Sequence, residues 1–438
     1  MTGLLAALAF LTALGLLGGR LAFWLASPED GFLYRTAIYV LAGAVVFHLI
    51  VTLLDFLGVR WSGPLLAVLF LVLYGLGWRF LPRGPGREAP SEWGWGDGVA
   101  LFAFAAFTLI SLTGWNAIPD FVFHWGIKGA RFALARGVDY EYLAKGWNWV
   151  LHPDYPNLLP EMFAATALLS DGFRMPAMML EASAFFALLL VACREALRRG
   201  GADRFTRQAG LALVALAVAG FGIGHIMAGG ADWIPVLAFA AALPPLLRPP
   251  DRAGDFQIAA IAAFVAAGKM EGIPLAAFLL LAQWGRRDLG ERRLAWREAL
   301  RMGLPMALVV LPWLGRTLHH HLFLELNSGP FTPSRAGAIA AASLEALRTP
   351  AWHGFLWAMF LPPALLFPRR TRPFAAVATL QVAFYFYVYF TSASAAEPRE
   401  FVLSNFARRG FHGVPARRGA ARVAWGPQRG SVTVRARL

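Results

Sequence analysis

Residues 115–172, WNAIPDFVFHWGIKGARFALARGVDYEYLAKGWNWVLHPDYPNLLPEMFAATALLSDG, form a polar and aromatic stretch set between apolar runs of membrane-spanning length. The stretch holds Asp120, His124, Lys128, Asp139, Glu141, Lys145, His152, Asp154 and Glu161, with Trp and Tyr interleaved. Ionisable groups and aromatic rings collected beside apolar runs are what a lipid–water interface over a polar site produces. Much of any chemistry the chain performs is expected here.

Working outward from this stretch, composition decides the class. Of 438 residues, 58% are hydrophobic and 15% charged, and the mean hydropathy of +0.54 lies outside the range of soluble domains. The expectation is an all-α polytopic membrane protein. The formal net charge of +14 comes from Arg residues in short connections between apolar runs, which the positive-inside rule explains without nucleic acid as a partner. Cys193 is the single cysteine, so an intrachain disulfide and a thiolate metal site are both excluded. The opening MTGLLAALAFLTALGLLGG lacks a basic region and a small-residue cleavage site, and reads as a retained span.

Apolar runs of spanning length are expected at 3–25, 37–57, 63–80 and 98–114 before the loop. After it they are expected at 175–193, 209–227, 231–247, 255–268, 272–285, 302–318, 351–368 and 372–391, about twelve in all. Arg79, Arg83 and Arg87 on one side of the loop, and the Arg194, Arg198, Arg199, Arg204 and Arg207 cluster on the other, mark cytoplasmic connections. The 115–173 loop is thereby expected outside. Leu158–Leu169 follows Pro153 and Pro156 and is too short to cross, so it is expected to lie along the interface. Three regions follow: 1–97 with the first spans, 98–412 as the functional membrane region, and 413–438 as a basic Arg/Gly-rich tail expected to be disordered.

Under this topology His225, Asp232, Lys269, Glu271, His319, His320, His321 and Glu325 share the loop's side, as do Arg408 and Arg409. Charges at span ends converging on one face are candidate site residues. Each has a structural alternative. Asp120 can be a solvated loop acid, and Lys128 can snorkel from an amphipathic helix. In HPDYP, 152–156, Asp154 can cap the following helix and His152 can be equally structural. Asp232 can cap a span, and Lys269 with Glu271 can be an ion pair as well as a phosphate contact. The histidine run 319–321 suggests a metal, but adjacent helical residues point in different directions.

The acid Asp120 after an early span, HPDYP at 152–156, GFRMP at 172–176, ADWIP at 231–235, KMEG at 269–272 and the late Arg408 and Arg409 together resemble the GT-C superfamily of integral-membrane glycosyltransferases. They are most similar to the bacterial relatives of protein O-mannosyltransferases and aminoarabinose transferases, over residues 98–412. Asn116 stands where related loops often carry Asp, and three spans precede the usual first one.

The resemblance implies a sugar taken from a polyprenyl-phosphate donor and passed, with inversion, to a glycan, lipid or protein acceptor. It implies catalytic roles for Asp120, as general base or acceptor-orienting group, and for Asp154. Lys269 with Glu271 would face the donor, Arg408 or Arg409 would meet its phosphate, and His124, Lys128, His152, Tyr155 and Asp232 would complete substrate and donor binding. No resident metal ligand or required cofactor is implied, and a divalent cation stays open as an accessory. Expected partners are the donor, membrane lipids and the acceptor; the expected location is the bacterial inner membrane, with the site facing the periplasm or exterior. The chain has no glycine-rich nucleotide loop, which suits a lipid-linked donor. The competing expectation is a secondary transporter or flippase of lipid-linked sugars. Such proteins usually place site charges near the midplane and carry repeats, and no repeat is legible here.

Overall fold

The computed structural model describes residues 2–25, 27–81, 92–114, 120–170, 172–220, 229–286, 296–322, 330–348 and 368–391. The regular structure of these residues is all helical, with no strand among them. The first four helices are α1 (Gly3–Leu21), α2 (Phe32–Phe56), α3 (Gly63–Phe80) and α4 (Trp95–Leu112). A π-helical turn at Phe121–Trp125 then leads into α5 (Gly126–Ala135), followed by α6 (Tyr140–Leu143) and α7 (Leu158–Leu169). The remainder comprises α8 (Met175–Arg199), α9 (Arg204–Gly220), α10 (Trp233–Leu247), α11 (Arg252–Gly268), α12 (Gly272–Gly285), α13 (Trp296–His319), α14 (Ala336–Arg348) and α15 (Pro368–Thr391).

By length and composition seven helices can cross a bilayer: α1 to α4, α8, α13 and the Arg372–Thr391 part of α15. The helices found at the expected 209–227, 231–247, 255–268 and 272–285 spans have 14 to 17 described residues. The expected span at 351–368 lies almost wholly outside the described residues, as does the 413–438 tail. Large apolar side chains on α3 and α4 face outward, with Leu71 71%, Phe102 72% and Leu109 67% exposed. An apolar outer surface of this kind requires lipid rather than water as its solvent.

Local sequence explains where the helices begin. Ser62 caps α3 by accepting from Leu65 N at 3.3 Å, with Pro64 in the first turn. Asp251 caps α11 by accepting from Gly254 N at 2.7 Å. Helix contact then depends on small residues. A Cβ at Gly18 would lie 1.9 Å from Tyr39 O, and one at Gly43 would lie 1.9 Å from Leu14 O. The α1 and α2 backbones therefore touch, the close approach by which membrane helices gain packing without a hydrophobic driving force.

α7, expected along the interface, is enclosed by other helices of the protein. Residues Leu158 to Ala167 are all buried, and α7 packs against α1, α2, α3, α5 and α8. A helix apolar on every side gains more from the interior than from a surface that would leave half of it in water. Glu161 travels inward with it, at 3% exposed, and burying a charge demands a partner.

Candidate functional site

Asp120 stands at the start of the π-helical turn, one-third exposed, with His124 Nε2 3.7 Å from its Oδ1. That separation makes a loose ion pair rather than a hydrogen bond. The wide turn carries the His124 ring to 4.9 Å from the His152 ring, and His152 in turn lies 4.6 Å from Tyr155. One helical turn beyond, Lys128 is completely buried. Its Nζ donates to His152 O at 3.2 Å and sits 4.6 Å over the Trp125 ring.

Among the described residues no carboxylate reaches Lys128 at salt-bridge distance. Burial brings its amine down to about 7, while the more distant charges of Asp154 and Glu161 hold it from falling further. A lysine in this state can give or take a proton near neutrality.

His152 adopts a left-handed φ of +48°, a strained choice for a residue other than glycine. This bend turns its carbonyl toward both Lys128 Nζ and Tyr155 N. Asp154 follows, and Trp313 Nε1 donates to its backbone oxygen at 3.0 Å. Burial is the main influence raising the Asp154 carboxyl above its ordinary range, and the Glu271 charge adds to it. The capping alternative for Asp154 fails: Asn157 occupies the N-cap of α7, with no side-chain cap bond.

The Asp232 and Lys269 turns close the other side. Asp232 begins α10 without capping it, and its carboxylate accepts from Lys269 Nζ. Lys269 also lies 3.6 Å from Glu271. The ion-pair alternative is thus present in the described geometry. The turn reaches the loop through Gly229, where a Cβ would come within 2.7 Å of Phe121 Cδ2. Asp120, His124, Lys128, His152 and Tyr155 thus form one group of neighbouring side chains, and Asp232, Lys269 and Glu271 a second. Arg408 and Arg409 lie outside the described residues.

Beside these groups is a polar cluster that sequence reading did not assemble. Arg316 on α13 donates to Asp55 at 2.8 Å, to Tyr140 Oη at 2.7 Å and to Thr52 O at 2.6 Å. His320 stacks flat on Tyr140 at 4.0 Å, and among the described residues no set of three His, Cys, Asp or Glu converges as metal ligands. Burial pushes the Tyr140 phenol above its ordinary range. His48 Nδ1 meets Glu161 Oε2 at 2.6 Å. His48, Thr52, Tyr140, Glu161 and Arg316 line a cavity of about 20 Å³ with Pro153, Asn157 and Trp313. The signal was present: His48, Asp55 and Arg316 each interrupt an otherwise apolar run, and an ionisable group in such a run is a site candidate by default.

Comparison with family models, curated proteins and solved structures finds no match to this chain.

Proposed function

We propose that the chain is a membrane glycosyltransferase that moves a sugar from a polyprenyl-phosphate donor to a hydroxyl or amine of a glycan, lipid or protein. The observation that carries this reading is the fully buried Lys128, within electrostatic reach of the desolvated Asp154 and on the helix that follows the loop acid Asp120. Departure of a polyprenyl phosphate develops negative charge at the membrane surface, and a nearby ammonium or guanidinium stabilises it in low dielectric. Lys128 has the burial for that role, with Arg408 and Arg409 as further candidates. Asp120, at the water edge, orients the acceptor or accepts its proton. The outward apolar faces of the helices suit a prenyl chain. On the same reading the site faces away from the basic connections, toward the periplasm or exterior of a bacterial inner membrane.

The test is incubation of the purified protein in lipid nanodiscs with a panel of radiolabelled polyprenyl-phosphate sugars, with and without chelator. One donor is expected to be consumed, and Asp120→Asn is expected to slow transfer by about 10²–10⁴-fold if Asp120 is the base. A panel that returns intact overturns the proposal. Movement of an unconsumed lipid-linked sugar across a proteoliposome would instead favour the flippase reading, to which the ionisable groups buried on spans lend weight.

A further inference from the structure

The junction of α8 and α9 gathers more positive charge than its own partners take up. α8 presents Arg194 and Arg198, spaced i and i+4, and α9 presents Arg204 and Arg207, spaced i and i+3, so each pair falls on one helix face. The two helices are consecutive and pack together. All four side chains line one recess of about 340 Å³, with Glu92 the only carboxylate among its described lining residues. That volume lies in the range of about 300–1,000 Å³ usual for small-ligand sites.

Two of the four guanidiniums are already engaged. Arg194 Nε donates to Asp97 Oδ1 at 2.5 Å, and Arg198 donates to Glu195 Oε2 at 2.8 Å and to Glu29 O at 2.6 Å. Arg204 and Arg207 make no ion pair among the described residues, and Arg204 is exposed. The wall that carries them is fixed. Gln208 accepts from Gly96 N at 2.7 Å and donates to Asp97 Oδ2 at 3.2 Å, and a Cβ at Gly96 would lie 2.1 Å from Gln208 O. Arg207 therefore projects from a backbone held against α4. The positive-inside rule accounts for arginines at such a junction. It does not require that four of them, from two helices, line one recess.

The surroundings choose the ligand class. Trp93, Trp95 and Phe205 are each more than half exposed. The Arg194 guanidinium lies 5.3 Å over the Trp93 ring, and the Trp95 and Phe205 rings are 6.2 Å apart. Exposed aromatic rings beside basic side chains at the end of a spanning helix mark the headgroup level of a bilayer. A basic recess between helices at that level meets lipid phosphate.

We infer that this recess binds the phosphodiester headgroup of an anionic membrane lipid, with Arg204 and Arg207 as its main contacts. Glu92 in the lining opposes a second negative charge, so a singly charged phosphodiester fits better than a dianionic phosphomonoester. The site stands apart from the Lys128 group and does not depend on the transferase reading.

The experiment titrates purified protein in neutral-detergent micelles with phosphatidylglycerol or phosphatidylcholine and counts bound lipid by native mass spectrometry. Wild type is expected to hold phosphatidylglycerol about tenfold or more tighter than phosphatidylcholine, and Arg204→Gln with Arg207→Gln to lose that preference. Each single substitution is expected to weaken phosphatidylglycerol about fivefold, which keeps the test alive if the double variant does not fold. Arg297→Gln with Arg301→Gln removes two charges at exposed positions of α13 and is expected to leave binding within about twofold of wild type. Inorganic phosphate in excess is expected to leave the lipid in place. Equal retention of the two lipids by wild type, equal losses in the two double variants, or displacement of the lipid by inorganic phosphate alone overturns the site.

Discussion

Where α2 begins, Asp30 is fully buried and accepts from Arg199 at 3.0 Å, Arg248 at 2.9 Å and Gln257 Nε2 at 2.7 Å. Where α2 ends, Lys128 is buried as completely and meets a carbonyl and an indole face. The two layers stand at opposite ends of shared helices: Asp30 and Asp55 flank α2, Gln257 and Lys269 belong to α11 and its end, and Glu271 and Arg286 bracket α12. With 25 residues in α2, the separation is about 37 Å. The first layer extends through Arg199 to Glu29 and Glu195, and through Gln283 to Asp255 and Arg286. Among the described residues each of these charges meets an opposite charge or a hydrogen-bonding amide, Asp255 through Gln283 Nε2, while Arg248 Nε makes no hydrogen bond. The contrast is between a layer whose charges meet opposite charges and lock helices, and a buried lysine that among the described residues meets a carbonyl and an indole face instead of a carboxylate.

Breaking the saturated layer should have the largest effect. Asp30→Ala leaves Arg199 and Arg248 facing each other without their shared carboxylate, and is expected to destabilise the protein by about 3–5 kcal/mol in denaturant titrations in micelles. A loss below about 1 kcal/mol would show that the layer is not a lock.

Lys128→Met tests the other end and should separate stability from activity. Donor turnover is expected to fall at least tenfold, while stability at neutral pH is expected to hold or rise, since an apolar chain of similar volume removes the cost of burying the amine. The pH dependence sharpens the point. Folding lowers the Lys128 pKa from 10.5 to about 7, so between those values the unfolded chain holds a proton the folded one has released. Wild-type stability should therefore gain a contribution as pH rises from about 7 toward 10.5, and Lys128→Met should lack it. Equal pH slopes in the two proteins would contradict the buried, proton-releasing lysine.

Smaller effects should follow the degree of exposure. Asp232→Asn leaves Lys269 its contact with Glu271 at 3.6 Å and should cost about 1 kcal/mol. Arg131, 40% exposed, pairs with Asp139, and Arg131→Ala should cost between zero and about 1 kcal/mol, vanishing in high salt. A larger cost for Arg131 than for Asp232 would reverse the ranking of the two positions.

Much of this was legible in the primary structure, for a physical reason. The spans α2, α3, α4 and α8 were readable because length and apolarity are local properties, and the Ser62 and Pro64 start of α3 is a local signal too. Charge at span ends was readable as far as it is local: Asp232, Lys269 and Glu271 were singled out, and their side chains lie together. The fate of α7 was not. A twelve-residue apolar helix after two prolines satisfies the interface and the interior equally well by composition, and only the packing offered by α1, α2 and α5 chooses between them. With α7 inside, Glu161 had to find His48, and no local pattern announces a partner 113 residues away.

The amino-acid order alone thus determined that this is an all-helical membrane chain with a polar aromatic loop between spans, because transfer of apolar side chains into lipid depends on each segment separately. Which charges are paired, which are stranded and where a chamber remains between helices were decided by tertiary structure. Burial and Coulomb interaction depend on neighbours that the chain supplies only after it has folded.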